Sequence, residues 1–330
     1  MGSEGTGIAQ RGTNRGLTPP ARLLMQTVTR DQISYVFDRR REPVLRVADG
    51  EVFQVETEDA RTGKTRTPET IGPEYVKALR SQGPYYGNPV TGPIQIAGAE
   101  PGDTLAVTIH QIECDALGFC GYWPFVYHLQ DWFDEPITEL VEIRDGHVEF
   151  TLQTAAGPHS LKIPTRPMIG CIGTAPHLEV PTAGTAGRFG GNLDVPEVAA
   201  GNTVYLPVAA PGGLLYLGDC HPYQGDGEVS GCEMRAVVTL AVSVRKKWTR
   251  AQNAPRIETP THLVTVGAGS PAETAQWQAI REMIVWLEER YCWTRHDARL
   301  LLTLTSDLRP GQMQVSPYTM RLLVAKEHLP

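Results

Sequence analysis

Ala236-Val237-Val238-Thr239-Leu240-Ala241-Val242-Ser243-Val244 decides the fold class, because it is one of a series of short β-rich runs and not an isolated apolar segment. Thr104–Ile112, Val148–Leu152, Thr203–Val208 and Leu214–Leu217 share its character, and Gly, Pro and Asp break the chain between them from about Gln32 to Val244. Turn signals at roughly 8 to 12 residue intervals favour a sandwich or barrel over alternating βαβ units. The expectation is a mainly β protein, with a jelly-roll-like β-sandwich core to about residue 245 and a small α+β portion that includes a short helix over Glu74–Gln82. A longer helical period appears only near the C-terminus. Ser270-Pro271 supplies an N-cap and first-turn proline, and Ala275, Ala279, Met283 and Leu287 recur every fourth residue, with Ile280 and Trp286 widening the face. A second helix, Arg295–Leu304, begins behind Thr294 as N-cap, and its Leu300–Leu302 run is expected to pack on the sandwich. These C-terminal helices span about 270–305. Residues 1–22, rich in glycine and carrying Pro19-Pro20, read as a flexible arm, which leaves 23–330 as the folded domain.

The run Leu214–Leu217 leads into Gly218-Asp219-Cys220-His221-Pro222-Tyr223-Gln224-Gly225-Asp226-Gly227-Glu228, which sets three acids and an imidazole between apolar runs. A strand sends residues two apart to one face, so Asp219 and His221 point together. Gly225 and Gly227 allow a tight return that brings Asp226 and Glu228 back beside them. Such a cluster suits a hard or borderline divalent metal, with one carboxylate left as a proton carrier. Asp and Gly are also ordinary turn residues, so the stretch reads equally well as a polar hairpin turn with its acids in water. Asn192 and Asp194, behind Gly190-Gly191, read as an Asx turn. Glu233 is either an extra acid near the cluster or a solvated strand residue, and His128, in an aromatic stretch, reads as a packed histidine. Asn88 and Thr91, between Gly87 and Pro93, either hydrogen-bond a small amide or brace a turn.

With 37 acidic against 30 basic residues, a formal charge of −7 argues against nucleic acid as a partner. No apolar run approaches the roughly 20 residues of a membrane span, and the first residues lack the apolar core of a signal peptide. The expectation is a cytoplasmic protein with no membrane partner. Six cysteines without CxxC spacing read as free thiols.

Several segments in order resemble the acetamidase/formamidase family: Pro43–Val47 with Glu56–Ala60, Asn88–Pro93 followed by Gly98–Leu105, Pro167–Pro176, Gly190–Asp194, and the acid-rich stretch above. The resemblance runs from about Arg30 to about Val315. The chain departs from the family pattern at Pro222 and Tyr223, and at Cys171 and Cys220, where small residues are common. These positions bear on substrate more than on reaction class.

The resemblance implies a catalytic domain over 23–330 that hydrolyses a small carboxamide, formamide or acetamide in kind, to carboxylate and ammonia. With it, Asp194 becomes a third metal ligand beside Asp219 and His221. Residue chemistry assigns Glu228 as general base and Asp226 as the group orienting the histidine or the glutamate. Asn88, Thr91 and Tyr223 are the expected substrate contacts. Zinc is the first expectation for the metal, with calcium or manganese as alternatives. A cysteine-nucleophile amidase using Cys171 or Cys220 and a non-catalytic β-sandwich with a structural calcium are the competing readings. A homo-oligomer, in the first place a dimer, is expected through the arm or through Trp277, Trp286, Tyr291 and Trp293.

Overall fold

The long run that opens the sequence argument lies in the strand Cys232–Arg245, which pairs antiparallel with the 19-residue strand Thr104–Tyr122 from Arg245↔Thr104 to Cys232↔Cys120. This is a computed structural model, and it describes residues 1–2, 25–81, 87–122, 131–248 and 252–330. The arm expected over 1–22, beyond its first two residues, and His128 lie outside the described residues. Ala236, Val238, Leu240 and Val242 are buried while the residues between them are half-buried, so one face of the strand supplies the core. Register slips between Met234 and Ala236 and between Thr239 and Leu240 mark bulges, which bend such a ribbon and raise its twist.

Val52–Thr57 lines the other edge of Cys232–Arg245, and Thr203–Pro207 lines Thr104–Thr108. The strands Met168–Thr174 and Leu215–His221, buried at every residue, run antiparallel with Met168 opposite His221. Val90–Ile96 pairs on the far side of Leu215–His221. The described strands thus form one hydrogen-bonded system, mostly antiparallel and curled on itself around Phe53, Ile109, Ile169, Leu217 and Val238. The mainly β expectation holds.

Among the described residues three α-helices stand outside this sheet: α1 (Pro73–Ser81), α2 (Ala272–Tyr291) and α3 (Arg295–Thr305). α2 lays Ala275, Ala279, Met283, Trp286 and Leu287 on the strands His262–Gly269 and Tyr318–Ala325, and Leu263, Leu302 and Leu322 complete a second apolar cluster. Replacing a core aromatic such as Trp286 by alanine costs about 3–5 kcal/mol. α3 starts where expected, its first turn capped by Thr294, whose hydroxyl oxygen accepts from the Asp297 N–H at 3.2 Å. Two details differ. α2 begins at Ala272 with Pro271 in the cap position, and the Ser270 hydroxyl bonds the Ser316 hydroxyl at 2.5 Å. Of Leu300–Leu302 only Leu302 is fully buried, and Leu300 is 52% exposed.

Candidate active site

Asp219 sits inside the strand Leu215–His221 with a φ of +56°, and the regular pairing is interrupted there: Ile169 faces Cys220 and Cys171 faces Gly218, with no pair between. Asp219 and His221 leave on one face, while Cys220 joins the main core. The residue across the gap is Gly170. A Cβ there would lie 2.5 Å from Asp194 Oδ1 and 2.8 Å from Asp219 Oδ2, so only glycine leaves room for both carboxylates. At Gly218 a Cβ would collide with the Pro89 carbonyl oxygen. That close approach brings Asn88 to the site, where its Nδ2 donates to Asp219 Oδ2 at 3.0 Å and to Asn192 Oδ1 at 2.7 Å.

Asp194, Asp219, His221 and Glu233 are all buried, and each keeps one side-chain atom without a hydrogen bond: Oδ1, Oδ1, Nε2 and Oε2. The remaining atoms are held. Asn192 Nδ2 donates to Asp194 Oδ2 at 2.7 Å. Gln224 Oε1 lies 2.9 Å from His221 Nδ1, and Gln224 Nε2 donates to the Asp194 carbonyl at 2.5 Å. Because the glutamine oxygen can only accept, Nδ1 carries the proton and Nε2 is left facing Glu233 Oε2 at 3.4 Å and Asp219 Oδ1 at 3.8 Å. Donor atoms of Asp194, Asp219 and His221 lie within 4.8 Å of one another, as do those of His221, Glu228 and Glu233. An unsatisfied buried polar group costs about 1–3 kcal/mol and a charged one more, so four such atoms in two adjoining groups that share His221 suit a bound cation.

Burial, then the neighbouring Asp219 charge, pushes Asp194 up to about 7. Burial, reinforced by Asp219 and opposed by His221, pushes Glu233 up to about 7. Burial and the Asp194 charge hold Glu228 well above the usual carboxylate range. For His221 burial acts against the charged form, but Glu233 and Asp219 outweigh it and raise the imidazole well above its ordinary value. The backbone is also unusual here. Asn88, Asp194, Asp219 and Glu228 have φ of +51°, +46°, +56° and +54°, a region that costs on the order of 1–3 kcal/mol for a side-chain-bearing residue and that clusters at functional sites. Asn and Asp tolerate it more readily than Glu228 does.

The structure therefore brings together Asp194, Asp219, His221 and Glu228, and adds Glu233, Gln224 and Asn192. Asn88 is present, but its amide is committed to Asp219 and Asn192. Three expected positions lie elsewhere. Thr91 donates its hydroxyl to the Glu56 carbonyl at 2.8 Å and braces a strand. Tyr223 stacks its ring on the Arg166 guanidinium at 4.6 Å. Asp226 pairs with Arg321 at 2.5 Å, its side chain 42% exposed, and the orienting contact to His221 comes from Gln224 instead. The cause lies in the C-terminal segment: the Gly227 N–H donates to the Gly311 carbonyl at 2.9 Å, which docks the turn there beside Arg321, with Asp226 aimed outward and Glu228 turned in.

Cys171 lies in the cluster, its thiol 2.9 Å from Asn192 Oδ1 and 3.5 Å from Asp219 Oδ2. Burial and the two aspartates push that thiol well above its usual range, and burial pushes Cys220 up to about 12. Both are poor thiolate sources, which weighs against a cysteine nucleophile.

Residues 30–186 and 180–309 match the model of the Acetamidase/Formamidase family. The fold is similar to an acetamidase of Bacillus halodurans, with 30% identity and a TM-score of 0.82 over 92% of this chain and 98% of that one. It is similar also to an acetamidase of Yersinia enterocolitica, with 29% identity and a TM-score of 0.83 over 97% and 96%. A putative formamidase of Schizosaccharomyces pombe is 43% identical over 60 residues, a stretch that spans 17% of this chain and only 15% of that protein.

Proposed function

Because the chain belongs to the acetamidase/formamidase family, we propose that it hydrolyses a small carboxamide, of the formamide or acetamide kind, to carboxylate and ammonia, with a divalent metal at Asp194, Asp219 and His221. The observation that carries this reading is the set of unpartnered, buried atoms: Asp194 Oδ1, Asp219 Oδ1 and His221 Nε2, whose groups lie within 4.8 Å of one another, with Glu233 Oε2 beside His221. Two carboxylates and an imidazole fit zinc with an open position, and manganese or calcium is the alternative. When bound, such an ion polarises the amide carbonyl and makes water nucleophilic near neutral pH.

The side chains do the rest. Gln224 holds the His221 ring and keeps Nε2 free, and Asn88 fixes the Asp219 carboxylate. Glu228 removes a proton from the water that attacks the carbonyl carbon and returns it to the amide nitrogen, which leaves as ammonia. A carboxyl held well above its usual range suits that return step. Glu233, beside His221, is a further acid within reach of the same proton. Burial excludes bulk water, which strengthens each of these interactions.

We read the working form as a homo-oligomer, in the first place a dimer, in a reducing cytoplasmic setting. Free cysteines and a Trp277 that stays 53% exposed on α2 support this. Trp286 is buried, and Tyr291 and Trp293 pack on one another at 5.4 Å, so they serve the fold. No helix among the described residues is long and apolar enough to cross a membrane.

The test is ammonia release from formamide, acetamide, propionamide and a γ-lactam, before chelation, after it, and after return of zinc, manganese or calcium. Release from a short linear amide that chelation abolishes and one ion restores is expected. Turnover indifferent to chelation contradicts the metal assignment.

A further inference from the structure

A second polar cluster, sharing no residue with the first, lies where α2 meets the paired strands Thr203–Pro207 and Arg256–Glu258. A cavity of about 470 Å³ opens there, lined by the aromatic rings of Tyr205, Trp248 and Trp286, by Arg245, Arg256 and Arg290, and by one acid, Glu289. Arg256 is wholly buried, its guanidinium 5.4 Å from the Trp286 ring and 5.9 Å from the Trp248 ring, and Tyr205 packs on both tryptophans. Nε of Arg256 pairs with Glu282 at 2.7 Å and Nη1 with Glu289 at 3.0 Å. Among the described residues Nη2 has no partner, and neither has the indole N–H of Trp286, which is 1% exposed.

Two buried donors left open beside a cavity call for an acceptor oxygen, since each open donor costs about 1–3 kcal/mol. Formal charge agrees. Arg245, Arg256, Arg290 and Lys326 stand against Glu258, Glu282 and Glu289, four cations to three anions, and each of these acids is already ion-paired. The aromatic walls suit a planar body, and the volume falls in the range of small-molecule sites. We propose that this cavity binds a small flat carboxylate, whose oxygens accept from Arg256 Nη2 and Trp286 Nε1 and whose body lies against Trp248. Arg245, exposed at the rim, supplies long-range attraction.

Benzoate is the probe, titrated into the purified protein and followed by tryptophan fluorescence and calorimetry. Saturable binding is expected, about tenfold weaker in Trp286→Phe, which keeps an aromatic ring and removes the N–H. Arg245→Ala is expected to weaken it several-fold, and Asp219→Asn, in the acid cluster, to leave it unchanged. If Trp286→Phe does not fold, Arg245→Ala and Trp248→Ala decide instead. No saturable binding, as a merely water-filled cavity gives, overturns the site, as does equal affinity in the cavity variants and wild type, or loss of binding in Asp219→Asn. Tighter binding of inorganic phosphate than of benzoate overturns the carboxylate assignment.

Discussion

Buried charge is handled in two ways in this chain. Around Arg256 every acid has its cation: Glu282 and Glu289 share one guanidinium, and the open atoms that remain are N–H donors. Around Asp219 the imbalance runs the other way. Asp194, Asp219 and Glu233 are buried beside Glu228, and the open atoms are three carboxylate oxygens and an imidazole nitrogen. Among the described residues His221 and Arg61 act on the cluster's Glu233 as cations, and burial depresses the Arg61 pKa to about 10 although Glu233 and Asp59 oppose the shift. The excess of acids around Asp219 is what the proposed cation would offset, since an uncompensated buried charge is strongly destabilising.

The sharpest way to break the comparison is to remove a donor from the acid-rich side. Asp219→Asn or His221→Ala is expected to lower kcat/KM for a short amide at least about a thousandfold, roughly 4 kcal/mol of transition-state stabilisation, in a protein whose circular dichroism is unchanged. Near-normal kinetics in both variants would remove the distinction between the two clusters. Glu228→Gln is expected to cost on the order of a hundred- to ten-thousandfold in kcat while the bound metal stays. Stoichiometric loss of metal would instead make Glu228 a ligand and move the proton-transfer role to Glu233. Gln224→Ala, which frees the His221 ring to turn, is expected to cost about ten- to a hundredfold in activity or metal affinity. An effect no larger than that of Thr91→Val, at a strand brace, would reduce Gln224 to packing.

A smaller effect lies in stability. Asp194 and Glu233 sit at about 7 in the metal-free fold against ordinary values of 3.8 and 4.5, so folding favours their protonated forms. Their contribution is fully present below about pH 4 and fades as pH rises through about 7. His221, raised above 6.5, adds a loss in the same direction above that pH. Thermal melts of chelated protein are expected to fall by a few degrees across that window, and a divalent ion is expected to flatten the curve. A chelated protein that gains stability across the window would mean the acids are paired in a way this geometry does not contain.

Much of this was readable beforehand because it depends on local rules. Alternation along a strand puts Asp219 and His221 on one face and Cys220 in the core, and Thr294 caps α3 as its position demands. What escaped depends on partners distant in sequence. Glu233, readable beforehand either as an acid of the cluster or as a solvated strand residue, reaches His221 because Cys220 pairs with Met234, a register that the Gly225 and Gly227 turn signals do not fix across a ten-residue connection. Asp226 turns outward because Arg321, 95 residues away, takes its carboxylate. Gln224 and Asn192 are ordinary polar residues whose roles appear only once the strands converge, and Gly170 looked like one glycine among 33 until the two aspartates filled its missing Cβ.

The central claim is that the acid cluster around Asp219 is completed by a cation. Elemental analysis of extensively dialysed wild-type protein, set beside Asp219→Asn purified in the same way, tests it most directly. The account predicts about one zinc, manganese or calcium ion per chain in the wild type and almost none in the variant, with amide turnover following the metal. Active wild-type protein carrying no stoichiometric divalent ion, or equal metal in the two proteins, would contradict it.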